Sequence, residues 1–323
     1  MSRAVLVREL GGPEVLRLEE VEPPPPGPGE ARIVQRAIGV NFIDIYYRSG
    51  AYPTALPFTP GLEGAGDVVA LGEGVENFKI GDRVAYVGPL GGYAEVRNVP
   101  AASLAPLPKS FSYETGATMM LKGLTAQYLL RRTHKVKKGD RLLVHAGAGG
   151  MGQLLCRWAS ALGARVIATV GDEEKVKIAR AAGAEHVILY RSEDFVAAVR
   201  EITKGKLCDV VYDGVGRATF PASLDCLRPF GLFVSYGSAS GKIDAFDINL
   251  LSQKGSLFAT RPSLFTHIAR RADLEEMTKD VVRAVKKGDL VFERPTLYRL
   301  ADAARAHADL EARRTSGALV LIP

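Results

Sequence analysis

The sequence predicts an α/β protein in two parts, a β-rich first part and a doubly wound parallel sheet, with a tail that returns to the first part. Three observations predict it. At 323 residues the chain exceeds what one hydrophobic core serves, so two domains are expected. Up to about residue 120 it reads as short apolar strands separated by glycine and proline turns. From about residue 123 apolar runs alternate with helical patterns, the rhythm of βαβ units.

In the first part strands are expected at residues 4–7, 31–38, 68–71, 83–87 and 93–96, with the proline run at 23–29 as a local turn and little helical periodicity. The second part opens with a strand at 141–145. Leu154, Leu155, Trp158, Ala159 and Leu162 then share one face of a helix that Gly163 can end. A strand at 166–170, a helix to Ala182, a strand at 186–189, a helix opening at Glu193 and Asp194, and strands at 209–212, 232–236 and 256–260 complete six parallel strands. The tail holds helices around 275–285 and 302–311 and a strand at 318–322, which needs a sheet to pair with and so returns to the first part.

Composition is that of an ordinary globular protein, with 47% apolar and 24% charged residues. No stretch has the length and apolarity of a signal peptide or membrane span, so a cytoplasmic protein is expected. Cys156, Cys208 and Cys226 are odd in number and widely spaced, which suits neither a disulfide framework nor a zinc knuckle. The net charge of +6 is scattered apart from one cluster at 131–138, read as a solvated connection, and without interleaved aromatic residues it argues against a nucleic-acid partner.

The strongest motif is Gly147-x-Gly149-x-x-Gly152, because it follows an apolar strand and opens a helix. In that setting the first glycine can make the sharp turn, the second leaves room for a pyrophosphate, and the amides of Gly150, Met151 and Gly152 face it. A glycine-rich loop that binds nothing is the alternative. The end of the next strand chooses between dinucleotides, since a carboxylate there bonds the ribose 2′-OH and repels a 2′-phosphate. Gly171 occupies that place and Lys175 follows one helical turn later, which favours NADPH. Asp172 is the counter-indication: as a helix cap it is neutral on the question, and facing the ribose it would select NADH. The later strand ends, with Gly216 and with Tyr236, Gly237 and Ser238, are small enough for close approach of a dinucleotide.

The run Gly139-Asp140-Arg141-Leu142-Leu143-Val144-His145-Ala146-Gly147-Ala148-Gly149-Gly150-Met151-Gly152 and the segment from Asn41 to Pro53 resemble the zeta-crystallin-like NADPH:quinone oxidoreductases of the medium-chain dehydrogenase/reductase superfamily. Arg157 departs from the family's glutamine. The resemblance spans the whole chain and implies a GroES-like catalytic domain of residues 1–122 and 263–323 around a Rossmann NADPH-binding domain of residues 123–262. It implies that Asn41, Tyr46 and Tyr52 line the substrate cleft, although such tyrosines can equally pack a loop. Asp44 reads as a turn former. By resemblance Tyr190 and Arg313 join Lys175 around the 2′-phosphate, with Arg314 an alternative to Arg313. Arg261 marks the return to the first domain near the nicotinamide, and the assembly is a homodimer.

The zinc alcohol dehydrogenases of this superfamily hold their metal with cysteines and the histidine of a Gly-His-Glu motif. Here Gly61-Leu62-Glu63 stands in its place and all cysteines lie beyond residue 150, so no metal is expected. Quinones and enones spread incoming charge over a π system and need a metal less than an isolated ketone does. The expected reaction is hydride or electron transfer from NADPH to a quinone. The alternatives are reduction of an enone, alkenal or enoyl thioester, and a non-catalytic NADPH- or RNA-binding protein.

Overall fold

The computed structural model describes every residue except 313 and 316. By its internal contacts the chain divides into two compact units, one of Met1–Leu124, Arg270–Lys279 and Phe292–Pro323, the other of Thr125–Ala269 and Asp280–Val291. These divisions differ from those drawn at 122/123 and 262/263. His267 stacks on Tyr128 (4.5 Å between ring centroids), and Asp280 accepts from Gln127 Nε2 (3.2 Å), which ties both stretches to the second unit.

The first unit begins with β1 (Ser2–Leu6) paired to β2 (Arg17–Val21). β3 (Glu30–Val40), β4 (Glu63–Leu71), β5 (Arg83–Val87), β6 (Val96–Pro100) and β7 (Leu104–Pro106) follow, with helix α1 (Phe42–Arg48) directly after β3. Two register shifts against β4 bend the 11-residue β3, so one strand serves two cores. Ala31 and Ile33 pack with Val84, Tyr86 and Leu104, whereas Ile38 and Val40 pack with Val5, Tyr93 and Leu321.

Helix α2 (Tyr113–Tyr128) was not visible as a periodic pattern. Ala117, Met119, Met120, Leu124, Ala126 and Tyr128 are all buried, and a helix covered on most sides has no polar face to betray its period.

The second unit continues with β8 (Arg141–Val144), α3 (Gly150–Ala161), β9 (Arg165–Val170), α4 (Glu173–Ala181), β10 (His186–Leu189), α5 (Phe195–Ile202), β11 (Cys208–Asp213), β12 (Leu227–Ser235), α6 (Asn249–Gln253) and β13 (Phe258–Thr260). All six strands are parallel, in the order β10-β9-β8-β11-β12-β13. This is the doubly wound sheet predicted, centred on Leu143, Ile167, Val211 and Phe233. Leu154, Leu155, Trp158 and Ala159 are the buried face of α3, and Gly163 (φ +86°) supplies the left-handed turn after it.

Helices α7 (Leu264–His267) and α8 (Arg271–Lys287), strand β14 (Thr296–Arg299), helix α9 (Ala303–Glu311) and strand β15 (Leu319–Ile322) complete the chain. β15 pairs antiparallel with β3 and parallel with β14, so the tail does return to the first unit's sheet of seven strands. No helix among the described residues is long and apolar enough to cross a membrane.

Candidate active site

Each segment singled out in the second unit follows the carboxyl end of a parallel strand: the glycine turn after β8, Gly171 after β9, Tyr190 after β10, Gly216 after β11, residues 236–238 after β12 and Arg261 after β13. They line one edge of the sheet on both sides of the point between β8 and β11 where strand order reverses, the usual ligand position in such sheets.

The turn is held by its own and the neighbouring strand. Gly147 N–H donates to the Thr169 carbonyl (3.0 Å) and Gly149 N–H to that of Ala146 (2.9 Å). The left-handed residue is Ala146 (φ +55°), so the first glycine serves close approach rather than the turn itself. A Cβ on Gly147 would lie 2.6 Å from Ala168 Cβ, and one on Gly152 would press on the Ala146 carbonyl and stand 2.7 Å from Gly147 Cα. Among the described residues a Cβ on Gly149 would meet only Ala146 O within 4 Å, at 3.2 Å, a single tight contact. Gly149 caps α3 without a side-chain bond, which leaves the amides of Gly150, Met151 and Gly152 at the positive end of the helix to serve an anion.

Beyond β9, Asp172 caps α4 by accepting from Lys175 N–H (3.1 Å) and from its ammonium (2.6 Å). Those bonds hold the Asp172 carboxyl below its usual range. Both side chains remain well exposed, so the pair is a weak tie. A Cβ on Gly171 would lie 3.0 Å from Tyr190 Oη and 3.4 Å from Arg191 Nε. Tyr190 and Arg191, the latter not foreseen, thus gather with Lys175 about Gly171 and Asp172. Arg313 lies outside the described residues, and Arg314 pairs with Asp309 (3.4 Å).

On the other flank, Asp213 Oδ1 accepts from the amides of Val215 (2.7 Å) and Gly216 (2.9 Å). The Tyr236 ring covers Gly214, where a Cβ would come within 2.8 Å of it. Arg261 donates to Ser235 Oγ (2.9 Å), Gly237 O (3.2 Å) and Ser238 Oγ (3.1 Å). Gly216, Tyr236, Gly237, Ser238 and Arg261 therefore form one group, with the guanidinium already engaged by the protein.

In the first unit Asn41, Tyr46 and Tyr52 stand on one segment around α1. The Tyr46 and Tyr52 rings are 5.2 Å apart, and Tyr47 meets Tyr52 edge-on at 5.6 Å. Asn41 is buried and donates through Nδ2 to Glu63 Oε1 (2.7 Å), while Glu63 Oε2 accepts from Leu121 N–H (2.7 Å). Asp44 Oδ2 accepts from Asn41 N–H (2.8 Å), the turn-forming part expected of it, and from Tyr93 Oη (3.0 Å).

Behind Asp44 runs a buried chain that sequence reading missed. Arg48 Nη1 lies 3.1 Å from His307 Nδ1, and His307 Nε2 lies 2.9 Å from Tyr93 Oη. Arg48 can only donate, which assigns His307 as the neutral tautomer with its proton on Nε2. Donation then runs Arg48, His307, Tyr93, Asp44. Burial, followed by Arg48, pushes His307 down to about 3. Burial pushes Asp44 up to about 7 against the bonds from Asn41 and Tyr93. Glu63, which joins this chain through Asn41, stands next to Leu62 in the motif and is marked by local sequence. Nothing local in sequence joins His307 to Arg48.

Residues 27–109 match the family model of the alcohol dehydrogenase GroES-like domain, and residues 150–284 that of a zinc-binding dehydrogenase. A quinone oxidoreductase of Pseudomonas aeruginosa is 47% identical over 325 residues, with 100% of each chain covered. The chain belongs to the quinone oxidoreductase family of the medium-chain dehydrogenase/reductase superfamily. A crystal structure of Escherichia coli quinone oxidoreductase complexed with NADPH matches with a TM-score of 0.97 and 46% identity over 100% of both chains. A 2-haloacrylate reductase from a Burkholderia species is 45% identical, covering 100% of this chain and 99% of its own. Family membership bears out the fold predicted, a GroES-like unit with a Rossmann-like parallel sheet. The second model's description names zinc, but Leu62 is buried where the Gly-His-Glu motif has its histidine. Among the described residues no three His, Cys, Asp or Glu side chains gather to hold a metal.

Proposed function

We propose that the protein is an NADPH-dependent quinone oxidoreductase, with the glycine turn at the start of α3 as the single observation that carries the reading. The residues fit the cofactor: the helix that Gly149 opens has no side-chain cap on its first amides, and Gly171 leaves the space that a Cβ would take beside Tyr190. Bound there, NADPH supplies a hydride. Amides of Gly150, Met151 and Gly152 hold the pyrophosphate. Lys175 and Tyr190 would hold the 2′-phosphate, with Arg313 as a further candidate, and the exposed pairing of Lys175 with Asp172 is weak enough to give way to it. The group of Gly216, Tyr236, Gly237, Ser238 and Arg261 gives the rest of the dinucleotide close backbone approach. Asn41, Tyr46 and Tyr52 receive the acceptor and hydrogen-bond its oxygens. No metal is called for, because the quinone ring itself spreads the charge that arrives.

The test is a steady-state panel of quinones and alkenals with NADPH and NADH. Turnover of quinones with NADPH supports the reading. A second reading, reduction of an activated carbon–carbon double bond, is favoured by the likeness to the 2-haloacrylate reductase, and turnover of alkenals without quinones would establish it instead. The buried free thiols of Cys156, Cys208 and Cys226 suit a reducing, cytoplasmic setting. We also place a homodimer contact at β13, an edge strand that exposes Phe258. Phe258→Lys should shift the protein toward monomer in sedimentation velocity, and an unchanged profile would remove that assignment.

A further inference from the structure

Beneath Asn41 lies a cluster of charges that the reading above does not use. Glu63 and Asp44 are both fully buried carboxyl groups, and Glu63 is clasped from two sides by Asn41 Nδ2 and Leu121 N–H, each at 2.7 Å. The next residue after Leu121 is Lys122. Its ammonium is buried and interacts electrostatically with Glu63 and Asp44, yet no hydrogen-bond partner for Nζ is found among the described residues. Asp44 Oδ1 is likewise buried without a partner. An ammonium has three N–H donors, and leaving them unmet away from water is strongly unfavourable unless something else accepts from them. The two carboxyl groups favour its charge but do not satisfy its donors.

We propose that Lys122 is a catalytic residue: its ammonium donates to the acceptor oxygen that gains negative charge on hydride transfer, and Glu63 and Asp44 hold a cation at that place. This rests on the reading that an acceptor is bound beside Asn41, Tyr46 and Tyr52. The hydride brings two electrons and one hydrogen to the acceptor and leaves it anionic. Lys122 then gives one N–H proton to the anionic oxygen and becomes a neutral amine, and a proton taken up from the medium after the reduced acceptor leaves restores the ammonium. The sum is acceptor, NADPH and one proton giving reduced acceptor and NADP⁺.

Burial moves the ammonium in the direction this step requires. It lowers the Lys122 pKa from that of a free lysine, making it a readier acid, while Glu63 and then Asp44 oppose the change. A cation fixed beside an oxygen that becomes charged stabilises the transition state more than the bound ground state. In the zinc relatives the segment bearing the Gly-His-Glu motif serves a metal cation; here Glu63 of the corresponding segment, at the start of β4, faces an ammonium.

The experiment compares wild type, Lys122→Met, Lys122→Arg and Glu63→Gln, each first titrated with NADPH by fluorescence to establish a folded cofactor site. With whichever acceptor wild type turns over, Lys122→Met should lower kcat/KM by roughly 100-fold at unchanged NADPH affinity, and Lys122→Arg should recover part of the loss. Glu63→Gln removes a charge that raises the lysine pKa, so the alkaline limb of its pH–rate profile should move to lower pH. Lys122→Met with kcat/KM within threefold of wild type, or an alkaline limb that Glu63→Gln leaves in place, would overturn the proposal. Failure of the quinone reading shows separately, as a wild type that turns over alkenals alone or no acceptor.

Discussion

The glycine turn of the second unit and the Asn41 region of the first are built from different materials. The turn is backbone: its amides are the donors it offers to an anion, and its glycines let strand and helix approach. The Asn41 region is a set of buried ionisable side chains: Asp44 and Arg48 of α1, Glu63 of β4, Tyr93, Lys122 of α2 and His307 of α9, most of them hydrogen-bonded in the interior. A backbone site is encoded by residues adjacent in sequence, so spacing and the flanking strand reveal it. A side-chain network is encoded by residues such as Arg48 and His307, which only the folded tail brings together.

The largest effect expected from this contrast is in the pH dependence of stability. Asp44, raised to about 7 from an ordinary 3.8, binds a proton more tightly in the folded state, so its contribution grows as pH falls from 7 to about 4 and is flat above 7. His307, lowered to about 3 from 6.5, does the reverse: its contribution is full above 6.5 and is lost as pH falls below it. Each slope is at most about 1.4 kcal/mol per pH unit, so the two largely cancel between pH 4 and 6.5. Asp44→Asn keeps acceptors for Asn41 and Tyr93 and removes one slope. Urea unfolding should show the gap between wild type and Asp44→Asn widening on acidification from pH 7, and a constant gap would refute the assignment of the proton to Asp44.

Next in size is the cost of cutting the network at its buried end. Arg48 is 1% exposed and bonds His307, the Gly11 carbonyl and Glu311. Arg48→Ala should destabilise by about 3 kcal/mol, because it strands the partners it leaves. Equilibrium unfolding measures this. The turn is expected to fail differently. Gly152→Ala sets a methyl against the Ala146 carbonyl and Gly147 and should cost about 1 to 3 kcal/mol, whereas Gly149→Ala meets one tight contact, Ala146 O at 3.2 Å, and should cost less stability while weakening NADPH binding. A Gly149→Ala protein that binds NADPH normally would take the pyrophosphate off that face.

The same contrast explains what was legible. The six parallel strands, the glycine turn and the returning strand β15 each leave a local pattern, and all were placed within a few residues. Helix α2 left none because it is buried on most sides. Lys122 could be read in sequence only as one more lysine, since its meaning depends on Glu63, which its neighbour Leu121 bonds across 58 residues of chain.

Lys175 is the smallest and most discriminating test, because here a side chain is added to a backbone site. Its ammonium lies 2.6 Å from Asp172, a carboxylate that would repel a 2′-phosphate but suits a free ribose hydroxyl. The two cofactors therefore ask opposite things of one pair. In the proposed site Lys175 would turn from Asp172 to the 2′-phosphate of NADPH, with Tyr190 and Arg191 close to Gly171 beside it. With NADH, Asp172 keeps its place and Lys175 contributes little. Lys175→Ala should weaken NADPH binding by roughly tenfold, modest because the site is exposed, and leave NADH nearly unchanged. Equal losses for both cofactors in equilibrium titrations would show that Lys175 acts through the cap of α4 alone and would move the choice of cofactor to Tyr190 and Arg191.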